Sequence, residues 1–207
     1  MSRPILLIGN GRSLPTIWLK QLAGNASLIV CADGGADRAL VAGVEPDVII
    51  GDLDSVSAHT RKRCAKAQWV CVDNQDNTDL EKALTWLLKQ HYRNCILVGF
   101  DGNRMDFTLG NFLVCAKYAK KISLSLCGPG WQIFPLFTKR RFTCLPKKRV
   151  SLIPLTTCSD VSVTGLKYPL KNARLTTGTT QTLSNETTGK TFSVAIKKGL
   201  LLVYVEE

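Results

Sequence analysis

Three clusters of carboxylates punctuate the first half of this 207-residue chain, each after a short apolar run. Asp33-Gly34-Gly35 follows residues 28–32. Gly51-Asp52-Leu53-Asp54-Ser55 follows residues 48–50, and Gln75-Asp76-Asn77-Thr78-Asp79 follows residues 70–72. In open α/β sheets ligands bind beyond the carboxyl ends of the strands. Carboxylates gathered there repel one another unless a cation joins them, so the economical reading is a site for magnesium and a polyphosphate. Asp52 and Asp54 are two residues apart, and on extended backbone they project to the same side. Two carboxylates that close share a proton or a cation, and at neutral pH the cation is the simpler solution. Asp33-Gly34-Gly35 adds a carboxylate and two residues free to take positive φ, whose amides can line a phosphate nest. Arg104 stands at the start of an expected helix, where it can hold a phosphate; Asp106 can orient it or join the metal site. Plainer roles compete with these. Asp79 in a first helical turn stabilises the helix dipole by about 0.3–1 kcal/mol, and Arg104 with Asp106 can be a surface ion pair worth about 0–1 kcal/mol.

The elements that must position these groups alternate up to about residue 127. Strands are expected at 5–8, 28–32, 48–50, 69–72, 95–98 and 123–127. Helices are expected at 15–23, 37–42, 57–67, from 78 onward, and at 105–118. Such alternation predicts a parallel sheet with helices on its faces. The helix after Thr78 has the clearest signature. Thr78 and Glu81 have capping-box spacing, each side chain answering the other's backbone N–H, and Leu80, Ala83, Leu84, Leu87 and Leu88 share one face. After Gly128-Pro129-Gly130 helical periodicity stops. Short β-rich runs follow at 149–155, 161–163, 174–176, 192–196 and 200–205, which predicts a small β-sandwich or partial barrel. The expected domains are therefore 1–128, an α/β nucleotide-binding unit, and 129–207, a β-sandwich.

Composition narrows the functional classes. No apolar run approaches a membrane span, and residues 4–9 are too short and uncharged for a secretory signal. Eight cysteines form no CxxC pair and several lie in apolar runs, which suits buried free thiols in a reducing cytoplasm. His59 and His91 have no zinc-ligand spacing. Residues 1–110 carry 12 basic and 12 acidic groups, whereas 111–207 carry 15 and 4, so the whole net charge of +11 sits in the second half. No aromatic stacking platform interleaves those charges, so no nucleic-acid partner is expected. Gly189-Lys190-Thr191 resembles the end of a phosphate-binding P-loop, but Ser184 occupies the position of its first glycine and the surroundings are β-rich.

Taken in order, ADGGAD (32–37), PDVIIGDLDS (46–55), QDNTDLEKAL (75–84), GNRMDFTLGN (102–111), SLIPLT (151–156), GLKYPL (165–170), TLSNE (183–187) and KGLLLVYV (198–205) resemble the thiamine pyrophosphokinase family over nearly the whole chain. The family pattern has Asp-His in the fourth stretch, where this chain has Asp106-Phe107. The resemblance implies transfer of the pyrophosphoryl group of ATP to thiamine, with Mg²⁺ as cofactor. It also implies a homodimer with thiamine at the subunit interface, and a β-sandwich that helps to bind thiamine. By the same resemblance Asp52, Asp54 and Asp79 are the catalytic and metal-holding residues, with Asp33 on the nucleotide side. Gln75, Thr78 and Lys82 touch substrate or phosphates, and Ser184 and Asn185 touch thiamine. Either Asp52 or Asp54 takes the hydroxyl proton. A pyrophosphokinase acting on another alcohol, such as a pterin, and a non-catalytic nucleotide or thiamine sensor are the alternatives.

Overall fold

The computed structural model describes residues 3–12, 14–102 and 104–207. The chain divides into two units, 1–129 and 130–207. In the first, the alternating pattern becomes β1 (Ile5–Ile8), α1 (Thr16–Gly24), β2 (Leu28–Ala32), α2 (Gly35–Val41), β3 (Val48–Gly51) and α3 (Ala58–Arg63). It continues through β4 (Gln68–Cys71), α4 (Asp79–Lys89), β5 (Asn94–Val98), α5 (Met105–Tyr118) and β6 (Ser123–Gly128). The six strands pair in parallel in the order β6-β5-β1-β2-β3-β4. β1 is buried at every position, as a strand covered on both faces must be.

The chain starts in the middle of this sheet, runs outward through β4, and then crosses back to place β5 on the other side of β1. The strand order therefore reverses between β1 and β5, where a crevice opens at the carboxyl ends of the strands. Glycines bring the two ends together. A Cβ on Gly9 would meet the Gly99 carbonyl oxygen at 2.6 Å, and one on Gly11 would meet the Asp101 carbonyl oxygen at 2.1 Å. α4 carries one half of the expected capping box: Thr78 Oγ1 accepts the Glu81 N–H at 3.3 Å. The other half is replaced. The Glu81 carboxylate turns to α5, 2.5 Å from Lys117 Nζ and 3.2 Å from the Tyr118 hydroxyl, because a charged partner holds it more strongly than a backbone N–H does.

The second unit is a sandwich of two antiparallel sheets. One contains β7 (Trp131–Leu136), β14 (Leu201–Glu206), β9 (Arg149–Pro154) and β12 (Asn185–Glu186). The other contains β8 (Arg140–Thr143), β13 (Thr191–Ala195), β10 (Cys158–Thr164) and β11 (Leu170–Leu175). Their inner faces share one core, in which Phe142 stacks on Phe192 with ring centroids 4.7 Å apart. Among the described residues no helix is long and apolar enough to cross a membrane, and all eight cysteines are free thiols.

Candidate active site

Three strand ends assemble the acidic group. Asp33 follows β2 with φ 45°, and its N–H donates to the Ile50 carbonyl at 2.8 Å. The positive φ thus falls on the aspartate itself, not on Gly34, whose φ is −58°. Gly34 and Gly35 serve a different need: Cβ atoms there would meet Asn10 Nδ2 at 2.3 Å and the Ile8 carbonyl oxygen at 2.2 Å. They let α2 start directly against the end of β1. Gly51 does the same for Asp33, since a Cβ on it would lie 3.0 Å from Asp33 Cβ.

Asp52 and Asp54 come together, but not on extended backbone. Leu53 between them takes φ 68° and is buried. The Asp54 N–H lies 3.5 Å from Asp52 Oδ1, and Ser55 Oγ donates to Asp54 Oδ1 at 3.0 Å. The turn still delivers both carboxylates to Asp33: oxygens of Asp33, Asp52 and Asp54 all lie within 4.8 Å of one another. Asp79 lies outside that group. Lys82 joins it to Asp52, with Nζ 3.1 Å from Asp52 Oδ2 and 3.2 Å from Asp79 Oδ1. The Lys82 ammonium is buried. Burial opposes its charge, yet the hydrogen bonds to Asp52 and Asp79 outweigh that and raise its pKa. The Lys82 bond in turn lowers the pKa of Asp52. Burial raises that of Asp79 in spite of Lys82.

Lys82 is bonded to two of the four carboxylates, Asp52 and Asp79. Asp33 is 4% exposed, and its Oδ1 is buried with no hydrogen-bond partner among the described residues. A buried acceptor costs free energy unless something occupies it. Three clustered carboxylates are a donor set suited to a hard divalent cation such as Mg²⁺.

A cavity of about 840 Å³ occupies the crevice at the ends of β1 and β5. Asp33, Ser55, Thr78 and Asp79 line its acidic side. Arg12, Arg38 and Arg104 bring three guanidinium groups to it. Arg104 makes a two-pronged pair with Asp106, at 2.9 and 2.6 Å, that holds the Asp106 carboxyl down at about 2. Its guanidinium lies 4.7 Å from the centroid of the Phe107 ring. Phe107 stands where the family pattern has histidine, so the cavity rim carries an apolar ring there. Arg12 and Arg38 escaped the sequence reading. Their signal was slight: one follows Gly9-Asn10-Gly11, and the other lies five residues after Asp33. Gln75 is exposed and outside the cavity lining. Ser184 and Asn185 belong to the second unit. Ser184 takes φ 56°, and the Asn185 side chain is engaged by both backbone polar groups of Tyr168, at 3.1 and 2.7 Å.

Arginines lining the same cavity as clustered carboxylates, at the switch point of a parallel sheet, suit a nucleotide-dependent phosphotransferase. The thiamin pyrophosphokinase catalytic domain matches residues 19–126, and the vitamin B1 binding domain of the same family matches residues 139–201. The chain belongs to the thiamine pyrophosphokinase family, as an enzyme of thiamine diphosphate biosynthesis. The thiamine pyrophosphokinase of Bacillus subtilis is 32% identical over 184 residues, covering 86% of each chain. A crystal structure of thiamine pyrophosphokinase from that organism superposes with a TM-score of 0.86 at 28% identity, over 98% of both chains. One from Geobacillus thermodenitrificans gives 0.84 at 26% identity, over 98% of this chain and 97% of the other.

Proposed function

We propose that this chain transfers the pyrophosphoryl group of ATP to the hydroxyl of thiamine at the crevice between β1 and β5, with Mg²⁺ held by Asp33, Asp52 and Asp54. The observation that carries this reading is the convergence of those three carboxylates, Asp33 with a buried oxygen that has no partner among the described residues, beside an arginine-lined cavity. When bound, the cation neutralises phosphate charge as it develops at the transferring group. The protein supplies the rest by positioning. Arg12, Arg38 and Arg104 hold phosphate oxygens, and the glycines at the strand ends let a polyphosphate approach the backbone. Lys82 keeps Asp52 anionic and joins it to Asp79, the fourth acid of the site. A carboxylate of this turn, Asp52 or Asp54, takes the proton of the thiamine hydroxyl.

The reading extends to a cytoplasmic homodimer with thiamine at the subunit interface, where Gln75 of one subunit and Ser184 and Asn185 of the other are thiamine contacts. Free thiols suit a reducing compartment, and sedimentation at twice the 22.7 kDa chain mass would support the dimer. The decisive assay measures AMP released from ATP with thiamine, with and without Mg²⁺. Thiamine-dependent and Mg²⁺-dependent AMP is expected. AMP released with a pterin alcohol but not with thiamine would overturn the choice of acceptor, and nucleotide binding without AMP would indicate a sensor.

A further inference from the structure

The acidic turn from Asp52 to Ser55 is largely exposed at Asp54 and Ser55, yet it must hold two carboxylates close to a third. Like charges at that spacing push the turn outward whenever no cation is present. Something must hold it in place, and the hydrogen bonds identify what does.

Asp37 lies in the first turn of α2, four residues after Asp33. A carboxylate there would ordinarily act on the helix dipole alone. Here it reaches across to the start of α3. Its Oδ1 accepts from Ser57 Oγ and from Thr60 Oγ1, the latter at 2.6 Å, and its Oδ2 accepts the Ser57 N–H at 3.2 Å. Ser57 is the N-cap of α3, accepting the Thr60 N–H at 3.2 Å, and stands three residues after Asp54. Thr60 is buried. The acidic turn is therefore fixed at one end by the pairing of β3 and at the other by Asp37. Its middle is secured as well: the Leu53 carbonyl accepts from Arg61, whose guanidinium lies 5.5 Å from the centroid of the Trp69 ring. Val56 packs into the same core as Leu53.

From this geometry we propose that Asp37 is a positioning residue: by clamping Ser57 and Thr60 it holds the Asp52–Ser55 turn against Asp33 and preorganises the cation site before any cation arrives. This rests on the site proposed above. Asp37 touches neither the cation nor substrate. It acts through the turn, as partners behind metal ligands do, whose loss costs about 10–100-fold in metal affinity.

The test uses the full chain without nucleotide. Mn²⁺ binding is followed by loss of the free-ion electron paramagnetic resonance signal, alongside the Mg²⁺ dependence of AMP release and a thermal melt. Asp37→Ala and Ser57→Ala are expected to raise both the Mn²⁺ dissociation constant and the half-saturating Mg²⁺ about 10–100-fold, with turnover at saturating Mg²⁺ recovering to within about threefold of wild type. Asp37→Asn keeps an acceptor for the two hydroxyls but not for the Ser57 N–H, so it should fall between. Unchanged Mn²⁺ binding in Asp37→Ala and Ser57→Ala overturns the proposal, as does turnover depressed equally at every Mg²⁺ concentration. Should Asp37→Ala fail to fold, Ser57→Ala and Asp37→Asn decide the matter by the same readouts. Asp52→Asn separates the two levels: if it binds Mn²⁺ like wild type, the cation site itself is misplaced, whatever Asp37 does.

Discussion

Lys82 is the residue on which the site's electrostatics turn. Its buried ammonium is the only cation bonded directly to the acidic set among the described residues. Lys82→Met leaves Asp52 and Asp79 facing each other without it. Breaking a fully buried pair costs about 3–5 kcal/mol; with both acids partly exposed, about 1–3 kcal/mol is expected. The sign with pH follows from the shifts. Asp52 has a lowered pKa, so its contribution is present above the ordinary carboxylate range near 4 and is lost as pH falls through the lowered value. Lys82 has a raised pKa, so its own contribution holds throughout the acidic and neutral range and fades only above the ordinary lysine value. Asp79 has a raised pKa and so runs the other way: its charged form costs stability, and acidification relieves that. The gap between wild type and Lys82→Met in urea unfolding should be steady around neutral pH and shrink on acidification, first as Asp79 takes up its proton above the ordinary carboxylate value and then as Asp52 does below it. For activity, Asp52→Asn and Asp54→Asn should each cut AMP release by orders of magnitude while leaving the melting transition nearly in place. Full turnover in both would remove the metal-site reading. At this scale the sequence shows which carboxylates can meet, since Asp52 and Asp54 are neighbours after an apolar run. It does not show how. The left-handed turns at Asp33 and Leu53 carry no residue signature, and Arg12 and Arg38 are single residues outside any periodic pattern.

At the scale of elements, the alternating helices and strands of the first unit were legible because buried parallel strands read as short apolar runs between amphipathic helices. The parallel-sheet domain followed by a sandwich is the architecture observed. Three strands of the second unit escaped, one of them, β12, only two residues long. β7 contains Pro135, which pairs opposite Leu202, and β8 begins Arg140-Arg141, so neither reads as an alternating strand. The close approach of β1 and β5 is also invisible in sequence, because a glycine does not announce which backbone it meets. It is testable. Gly11→Ala and Gly35→Ala place a Cβ 2.1 and 2.2 Å from carbonyl oxygens, and each should lose about 1–3 kcal/mol of stability with weaker ATP binding. Gly110→Ala, within α5 and with nothing within 4 Å of the new Cβ, should instead gain about 0.5–1 kcal/mol. Denaturant midpoints of the three variants would separate steric crowding from a general intolerance of change.

For the whole molecule, the thiols give a simple check. Cys31, Cys64, Cys95, Cys115, Cys127 and Cys158 are buried, Cys144 is intermediate and Cys71 is exposed. Burial raises the pKa of Cys31, Cys95 and Cys115 in particular, which keeps them protonated and unreactive. A thiol reagent should therefore label Cys71 first in native protein, Cys144 more slowly, and the rest only on unfolding. Rapid labelling of several thiols would contradict the packing described.

The place of β1 in its sheet has a consequence for how the protein is made. Ile5 pairs with Leu28 on one side but with Cys95 on the other. A ribosome adds about 5–20 residues per second. One edge of the apolar Ile5–Ile8 run therefore waits roughly 5–20 s for its neighbour to be synthesised, and a bare strand edge is sticky meanwhile. Nascent chains interrupted before residue 94 should be conspicuous clients of chaperones, and slowing translation across α4 should lower soluble yield without altering the finished enzyme.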